Sequence, residues 1–437
     1  MLFLLHKNNK KDKGNKGTFT DDVDRRQGTF TDDVDRRQGT FTEGISFKIN
    51  INNSDTPSLP NEKYGYTQYL NTCRNKIDNI DPDVWKKVRW YINVYDFQVK
   101  DPIVNRAFYK YWEIINEFEI FEDYTEDDII LHCAEAPGGF IQGSNIYLQI
   151  DRSVKSTNVS KPDIDEDGFI TVKRRKFVKN NYKIYTISLN KDLPQYKNYN
   201  LPTYNKNIMN KHLYITYGKD NTGDINNFHN IDNIKLISKG PFYLVTADGG
   251  FDEGNDFNHK EQLHYNLILS EIYSAICLQK TNGHFILKMF DILTDTSIHL
   301  IYFLSLCYKE VYIYKPKTSR PTNSEKYIIC KYFNVSIENK ERFLNQLKHL
   351  SNSIKLYSSK FISFTLFESI PEEFVEEIKK CNNFLLKKQC DHLEKAILLC
   401  EDDSFIQEYE EKLQESIEKR REIFHEWQSL YNLDSYV

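Results

Sequence analysis

Residues 129–140 read IILHCAEAPGGF, and their order points to the class of the fold. Ile129 to Ala134 form a short, mostly apolar run of strand length. Pro137, Gly138 and Gly139 then interrupt extended structure, and from Phe140 the spacing turns helical to about residue 150. Paired glycines let a backbone come close to a ligand, as in nucleotide-binding turns. A tight turn with no ligand is the alternative that this segment leaves open. No Gly-Lys-Ser/Thr follows and the spacing is not G-x-G-x-x-G, so neither common phosphate motif is present.

The alternation continues on the C-terminal side. Strand-length runs fall at 182–189, 212–217, 242–247, 284–290, 310–315 and 326–333, and helical spacing at 258–281 and 295–308. Residues 64–119 are mostly helical and aromatic. Strands alternating with helices predict an α/β domain with a largely parallel sheet. Such sheets hold ligands outside the carboxyl ends of their strands.

Around this core, composition marks the rest of the 437 residues. GTFTDDVDRRQ at 17–27 recurs identically at 28–38, and each copy offers only Phe and Val for burial. Residues 1–45 are therefore read as a disordered, repeat-containing tail, with a docking peptide as the alternative. The main domain is placed at 46–335, with a helical lead-in at 64–119 and a polar insertion at 152–181. Residues 336–437 read as helical; the stretch from 368 onward carries 9 Lys/Arg against 18 Asp/Glu, a net charge of −9. They are expected to be a solvated extension, with a surface for a protein partner as the alternative. Gln407 to Trp427 reads as one long helix.

The 29 Tyr and 28 Phe exclude disorder along the whole chain, since they suffice for a large core. No apolar run approaches the roughly 18 residues needed to span a bilayer, so no membrane association is expected. The opening apolar run is shorter than a signal-peptide core of about 7–15 residues, and an intracellular setting is expected, cytoplasm or nucleus unresolved. The eight cysteines form no C-x-x-C pair and are read as buried thiols, with no metal site.

Several strand ends carry residues suited to chemistry. The 242–247 strand ends in Asp248-Gly249-Gly250-Phe251, and Lys288 interrupts the apolar run Phe285–Phe290. A lysine is rarely buried without a partner, although snorkelling from a strand edge is the plain alternative. The polar segment KPKTSRPTNSE, 315–325, then leads into the last strand.

Taken in order, CAEAPGGF, TADGGF, GHFILKMFD and KPKTSRPTNSEKYIICK, with Asn105-Arg106-Ala107 and Lys110 upstream, resemble the FtsJ-like 2′-O-ribose methyltransferases. The Ser-Arg-Pro-x-Asn-Ser-Glu segment and the DGGF form resemble the branch acting on mRNA caps, of the cap-1 type; a viral source would place the chain in a host cell or virion. The resemblance implies a Rossmann-like fold with a mostly parallel seven-stranded sheet flanked by helices, and S-adenosylmethionine as cofactor. It implies capped mRNA 5′ ends as partner.

By the same resemblance, Lys110, Asp248, Lys288 and Glu325 match the family's catalytic tetrad. A ribose hydroxyl is a poor nucleophile, so alignment and proton removal are what such a site must provide. Lys288 is the candidate base, Lys110 the cation that orients the hydroxyl, and the acids hold both ammonium groups. Acids near Lys288 also raise its pKa, which opposes the base role. Ala136, Pro137, Gly138, Gly139 and Phe140 match the turn under the cofactor's methionine and ribose, Asp248 borders it, and Asp224 matches the acid that caps the adenine amino group. An ordinary Asn/Gly/Asp turn is the alternative for Asp224. A ribose-binding acid is absent at the end of the second strand, where Asn190 and Asp192 are the substitutes. Arg106, Asn258, Arg320 and Asn323 match substrate-contacting positions.

Two further segments compete for notice. Asp163 to Ile170 has the first half of a calcium loop, but Arg174 stands where the bidentate Glu belongs, so an acidic turn is the reading. Lys173, Arg174, Arg175, Lys176 and Lys179 form a basic cluster suited to RNA or to a nuclear-localisation signal, or simply solvated. Methylation of ribosomal or transfer RNA is the enzymatic alternative, and a non-catalytic RNA-binding scaffold the alternative of another class.

Overall fold

A computed structural model describes residues 2–7, 46–96, 102–149, 182–250 and 259–433. The strands are β1 (Leu2–Lys7), β2 (Asn50–Ser54), β3 (Ile129–Cys133), β4 (Lys183–Ile187), β5 (Leu213–Thr216), β6 (Phe242–Ala247), β7 (Gln279–Met289), β8 (Tyr308–Tyr314), β9 (Lys326–Phe333) and β10 (Phe361–Thr365). The first six helices are α1 (Gln68–Ile77), α2 (Pro82–Ile92), α3 (Ala107–Glu117), α4 (Gly139–Gln149), α5 (Phe228–Ser238) and α6 (Lys260–Leu263). The rest are α7 (Tyr265–Leu278), α8 (Asp295–Cys307), α9 (Ile337–Ile354), α10 (Glu372–Cys400), α11 (Asp403–Gln407) and α12 (Tyr409–Leu430).

Eight strands form the main sheet, in the order β1-β8-β9-β7-β6-β3-β4-β5. The five from β5 to β7 run parallel, and β9, β8 and β1 extend the sheet antiparallel. Strand β3 stands where the strand order reverses, so the turn after it opens the crevice in which such sheets bind ligands. A separate antiparallel pair joins β2 to β10.

Side-chain alternation sends each strand's residues to two faces. Leu131, Cys133, Val245, Ala247, Phe285 and Leu287 face α5, α7, α8 and α9 in the larger core. Ile130, Leu244, Ile286 and Ile329 face α3 and α4 in a second core that is unusually aromatic, with Phe108, Tyr111, Trp112 and Phe140. Burial on both faces explains why these strands read as continuous apolar runs.

All seven expected strands are present, and β1 adds an eighth. Leu2–Lys7 falls within the stretch expected to be a disordered tail, yet its backbone pairs with β8, since an edge strand leaves donors and acceptors open to any short extended run. The expected helix at 258–281 is divided by His264 into α6 and α7 and ends at Leu278, and the one expected at 407–427 breaks at Glu408.

The C-terminal helices are not the solvated extension expected from their charge. Phe374, Ile378, Cys381 and Leu385 of α10 join the larger core, while Leu386, Cys390 and Leu393 pack on Leu70 and Cys73 of α1. Trp427, Tyr431 and Leu433 enter the second core beside α3. Acidic residues line the outer faces, and helical spacing gathers the aromatic ones inward. Among the described residues no helix is long and apolar enough to cross a membrane. The repeats, the insertion with its calcium-like turn and basic cluster, and Asn258 lie outside the described residues.

Candidate active site

Four elements bring the two lysines and two acids together. Lys110 lies on the first turn of α3, Asp248 follows β6, Lys288 is the penultimate residue of β7, and Glu325 immediately precedes β9. Lys110 Nζ donates to both Glu325 carboxylate oxygens, at 2.9 and 3.0 Å. Lys288 Nζ donates to the Asp248 main-chain carbonyl at 2.7 Å and lies 3.4 Å from its Oδ1. The Tyr327 hydroxyl donates to that same Oδ1 at 2.9 Å, because Tyr327 stands opposite Lys288 in the β7–β9 register. Ser319 Oγ donates to Glu325 Oε1 at 2.9 Å. All four charged side chains are between 10% and 14% exposed, enough to meet a ligand without being solvated.

Their protonation follows from burial set against neighbouring charge. Burial alone would raise the Glu325 carboxyl, but Lys110, Lys288 and Lys315 hold it well below the usual carboxylate range. Burial alone would lower Lys288, but Asp248, then Glu325 and Glu271, outweigh it and hold the ammonium above the usual lysine range. Lys288 is thus a donor in this arrangement. Glu271 is pushed up to about 8 by burial, although Lys288 and a hydrogen bond from the Gly249 amide at 3.1 Å oppose the shift.

The glycines of the turn are also constrained by the chain around them. A Cβ on Gly138, whose φ is +113°, would meet Ile208 Cδ1 at 2.3 Å. One on Gly139 would meet Asn105 Oδ1 at 2.1 Å and the Phe108 amide nitrogen at 2.7 Å. Gly138 is required by its left-handed backbone and Gly139 by the Phe108 backbone, a contact that locks the turn to the start of α3. The Glu135 side chain bridges the turn by accepting from the Phe140 amide at 2.6 Å. Its Oε2 is buried with no hydrogen-bond partner, and burial, with Asp248 adding, raises its pKa well above the carboxylate range. The Ala136 amide donates to Ser188 Oγ at 3.2 Å.

Asp224 lies in the loop after β5, whose Gly223 has φ +71° and abuts the Ser188 carbonyl. Its Oδ1 accepts from the Asn226 amide at 2.9 Å, so the side chain also serves its own turn. Asn190 donates to the Asn221 carbonyl at 3.1 Å and accepts from the Asp192 amide at 3.2 Å, so its polar atoms hold the neighbouring loop. Arg106 and Arg320 both pair with the buried Asp96, the latter at 3.1 Å. Asn323 Oδ1 accepts from Lys315 Nζ at 3.0 Å.

Several residues that shape the site were not singled out from sequence. Glu113, fully buried on α3, accepts from the Lys317 amide at 2.7 Å, Thr318 Oγ1 at 3.1 Å, the Tyr314 hydroxyl at 2.7 Å and Trp427 Nε1 at 3.1 Å. A charged residue inside the aromatic run FYKYWEII was the available signal. Glu135 sat within the decisive segment itself. Tyr327 and Asp96 had no signal, since their partners lie far away in sequence.

The FtsJ-like methyltransferase family model matches residues 103–333. A cap-specific mRNA (nucleoside-2′-O-)-methyltransferase 1 of Caenorhabditis elegans is 35% identical over 191 residues, 41% of this chain and 21% of that protein. An inactive cap-specific mRNA (nucleoside-2′-O-)-methyltransferase 1B of Caenorhabditis briggsae is 32% identical over 191 residues, 41% of this chain and 22% of that protein. A cap-specific mRNA (nucleoside-2′-O-)-methyltransferase 2 of Drosophila melanogaster is 25% identical over 360 residues, 76% of this chain and 45% of that protein. The match therefore spans less than half the length of each relative.

Proposed function

The chain belongs to the FtsJ-like methyltransferase family, and from that premise we propose that it methylates the ribose 2′-hydroxyl of a cap-proximal nucleotide of mRNA, using S-adenosylmethionine. The observation that carries this reading is the convergence of Lys110, Asp248, Lys288 and Glu325 at the carboxyl end of the sheet. An inactive protein stands among the similar ones, so likeness alone does not establish activity.

The cofactor is tested against the residues present. The orphaned Glu135 Oε2 lies beside the 136–140 turn, and a cationic amino-acid group bound there would favour the ionised carboxylate and give that oxygen its missing partner. Asp248 and Asp224 add acids on the same side of the sheet, and the set fits. Bound S-adenosylmethionine would supply a methyl group already activated on a sulfonium. Glu135 and the turn would hold its methionine end and Asp224 its adenine.

The chain's own residues then position the acceptor. Lys110, fixed by Glu325, and Lys288, fixed by the Asp248 carbonyl, present two ammonium groups to the ribose hydroxyl. Alignment of oxygen with the methyl carbon accounts for much of the barrier in such a transfer. The hydroxyl proton must leave as the carbon–oxygen bond forms. Lys288 can take it only from its neutral form, which its three acidic neighbours oppose in the arrangement seen. Substrate contacts that engage those acids favour the neutral form, and the single-turnover rate then climbs about tenfold per pH unit above neutrality. Arg106, Arg320, Asn258 and Asn323 are proposed to contact RNA, and the outer acidic face of α10–α12 to meet a protein partner.

The test is transfer of labelled methyl to short RNAs with and without a 7-methylguanosine cap, with nuclease mapping of the labelled nucleotide. Cap-dependent label on a cap-proximal ribose is expected, with a loss of about 10²–10⁴-fold in Lys288→Ala. Label independent of the cap would replace the reading with a structured-RNA methyltransferase. Binding of S-adenosylmethionine with no transfer to any RNA would replace it with a scaffold.

A further inference from the structure

Tyr327 is fully buried, and its hydroxyl is committed to a charged residue of the site rather than to the main chain. In the β7–β9 pairing it stands directly across from Lys288, and residues directly opposite in an antiparallel pair share one face of the sheet. Both side chains therefore reach the carboxyl end of β6, where Asp248 follows. The phenol donates to Asp248 Oδ1 at 2.9 Å. Lys288 Nζ stays 3.4 Å from that oxygen and gives its short bond, 2.7 Å, to the Asp248 carbonyl. A charge-assisted ammonium–carboxylate bond closes to about 2.7–2.9 Å. The neutral donor thus holds the closer place on Oδ1 and the cation the farther one.

That order bears on the proton Lys288 must lose. Around its ammonium stand Asp248 after β6, Glu325 before β9 and Glu271 on α7, three acids that hold the proton on. Glu135, after β3, feels both Lys288 and Lys110 of α3. His264, at the head of α7, is kept neutral by burial, which lowers it to about 4. The Tyr327 phenol, itself kept protonated by burial and by Asp248, points the positive end of its O–H dipole at Oδ1. It spreads part of the carboxylate's charge and sets a like sign toward the ammonium, so it favours the neutral amine. The ring is fixed by its neighbours, with the Phe140 ring centre 6.1 Å from its own and Lys110 Nζ 5.9 Å away.

We propose that Tyr327 is a positioning residue of the methyl transfer, which by occupying Asp248 Oδ1 keeps Lys288 from closing a full ion pair and so eases the loss of its proton. The inference rests on the methyltransferase reading and adds to it a residue that acts through Asp248 rather than on the ribose. No proton passes through the phenol. Its hydrogen stays on Tyr327, and the ribose proton goes to the neutral Lys288 amine as the carbon–oxygen bond forms. A buried tyrosine needs a partner for its hydroxyl in any case, and the experiment separates that plain need from the proposed role.

The experiment measures how fast trace acetic anhydride acetylates Lys288 in the full chain, read by mass spectrometry, because only the neutral amine reacts. Between about pH 7 and pH 9, Tyr327→Phe is expected to lower that rate about tenfold, the equivalent of a pKa higher by about one unit. In an Asp248→Asn background the same substitution should change nothing, since the effect travels through the carboxylate. A 3-fluorotyrosine placed at 327 keeps the shape and strengthens the donor, so it should raise the rate; it carries the test if Tyr327→Phe does not fold. Single-turnover transfer to capped RNA should fall about tenfold in Tyr327→Phe, with S-adenosylmethionine affinity unchanged. Equal Lys288 acetylation in wild type and both Tyr327 variants would overturn the proposal, as would an equal loss in the Asp248→Asn background. Slower acetylation with an unchanged transfer rate would overturn it too. If acetylation slows as expected while wild type methylates no RNA, the hold on Lys288 stands and the methyltransferase reading fails.

Discussion

The turn at 134–140 and the loop at 315–325 both deliver residues to the same crevice, but they get their shapes from different places. The turn carries much of its shape within itself and adds a contact to the start of α3. Glu135 accepts from the Phe140 amide within the turn, Gly138 takes φ +113°, and Gly139 abuts Asn105. The loop, by contrast, is held from far away. Glu113 of α3 binds the Lys317 amide and Thr318, and Trp427 of α12 fixes Glu113 from behind. A turn whose own glycines and acid set its backbone announces itself in a short stretch of sequence, whereas a loop held across more than two hundred residues does not.

The sharpest way to break the local half is Gly139→Ala. The new Cβ would lie 2.7 Å from the Phe108 amide nitrogen, backbone that cannot step aside, and 2.1 Å from Asn105 Oδ1. A loss of about 3 kcal/mol or more is expected, large enough to abolish activity through unfolding. Chemical denaturation of the variant measures it. A midpoint equal to wild type would show that the turn is not pinned to α3.

This contrast also explains what could be read in advance. The seven strands and the helices after them were visible because apolar runs and 3.6-residue spacing are local signals. Strand ends drew attention to Asp248 and Lys288, the family resemblance added Lys110 and Glu325, and the structure pairs Lys110 with Glu325 and Lys288 with Asp248. Glu113, Asp96 and Tyr327 escaped notice because each acts through a partner on another element. The inward face of α12 escaped because its acidic outer face dominates composition, while Phe424, Trp427 and Tyr431 carry the packing. Leu2–Lys7 escaped because six residues beside a repeat read as tail.

The distant half can be loosened in two steps. Glu113→Gln keeps the volume but weakens charge-assisted acceptance from the 317–318 amides and turns an amide N–H toward donors. Hydrogen bonds to a charged group contribute about 1.5–3 kcal/mol. If the loop must be held for turnover, kcat/KM should fall about 10- to 100-fold, with S-adenosylmethionine affinity little changed. Trp427→Phe keeps the ring packing and deletes the N–H that reaches Glu113 at 3.1 Å. It should cost about 1 kcal/mol, a fall of about fivefold in the same parameter. Equal S-adenosylmethionine and turnover losses in both variants would mean a general fault in packing rather than a held loop.

The smallest effect on rate, and the finest test of the local half, is expected from Glu271→Gln. Glu271 accepts from the Gly249 amide beneath the β6 turn and is pushed up to about 8 by burial. In the unfolded chain such a carboxyl titrates near about 4.3. Between those values the folded state holds a proton that the unfolded state has released, so this group's stabilisation is full below about 4.3 and is lost as pH rises through about 8. A glutamine at 271 resembles the protonated acid, keeps an oxygen for Gly249 and cannot titrate. Its melting temperature should therefore fall less than that of wild type between about pH 5 and pH 8. Part of the fall should remain, because burial also raises Glu261 to about 7 and Glu135 well above the usual range. If instead the two profiles run parallel, Glu271 is ionised in the folded protein. The Gly249 turn would then rest on a charged acceptor beside Lys288, which would tighten that ammonium's hold on its proton further.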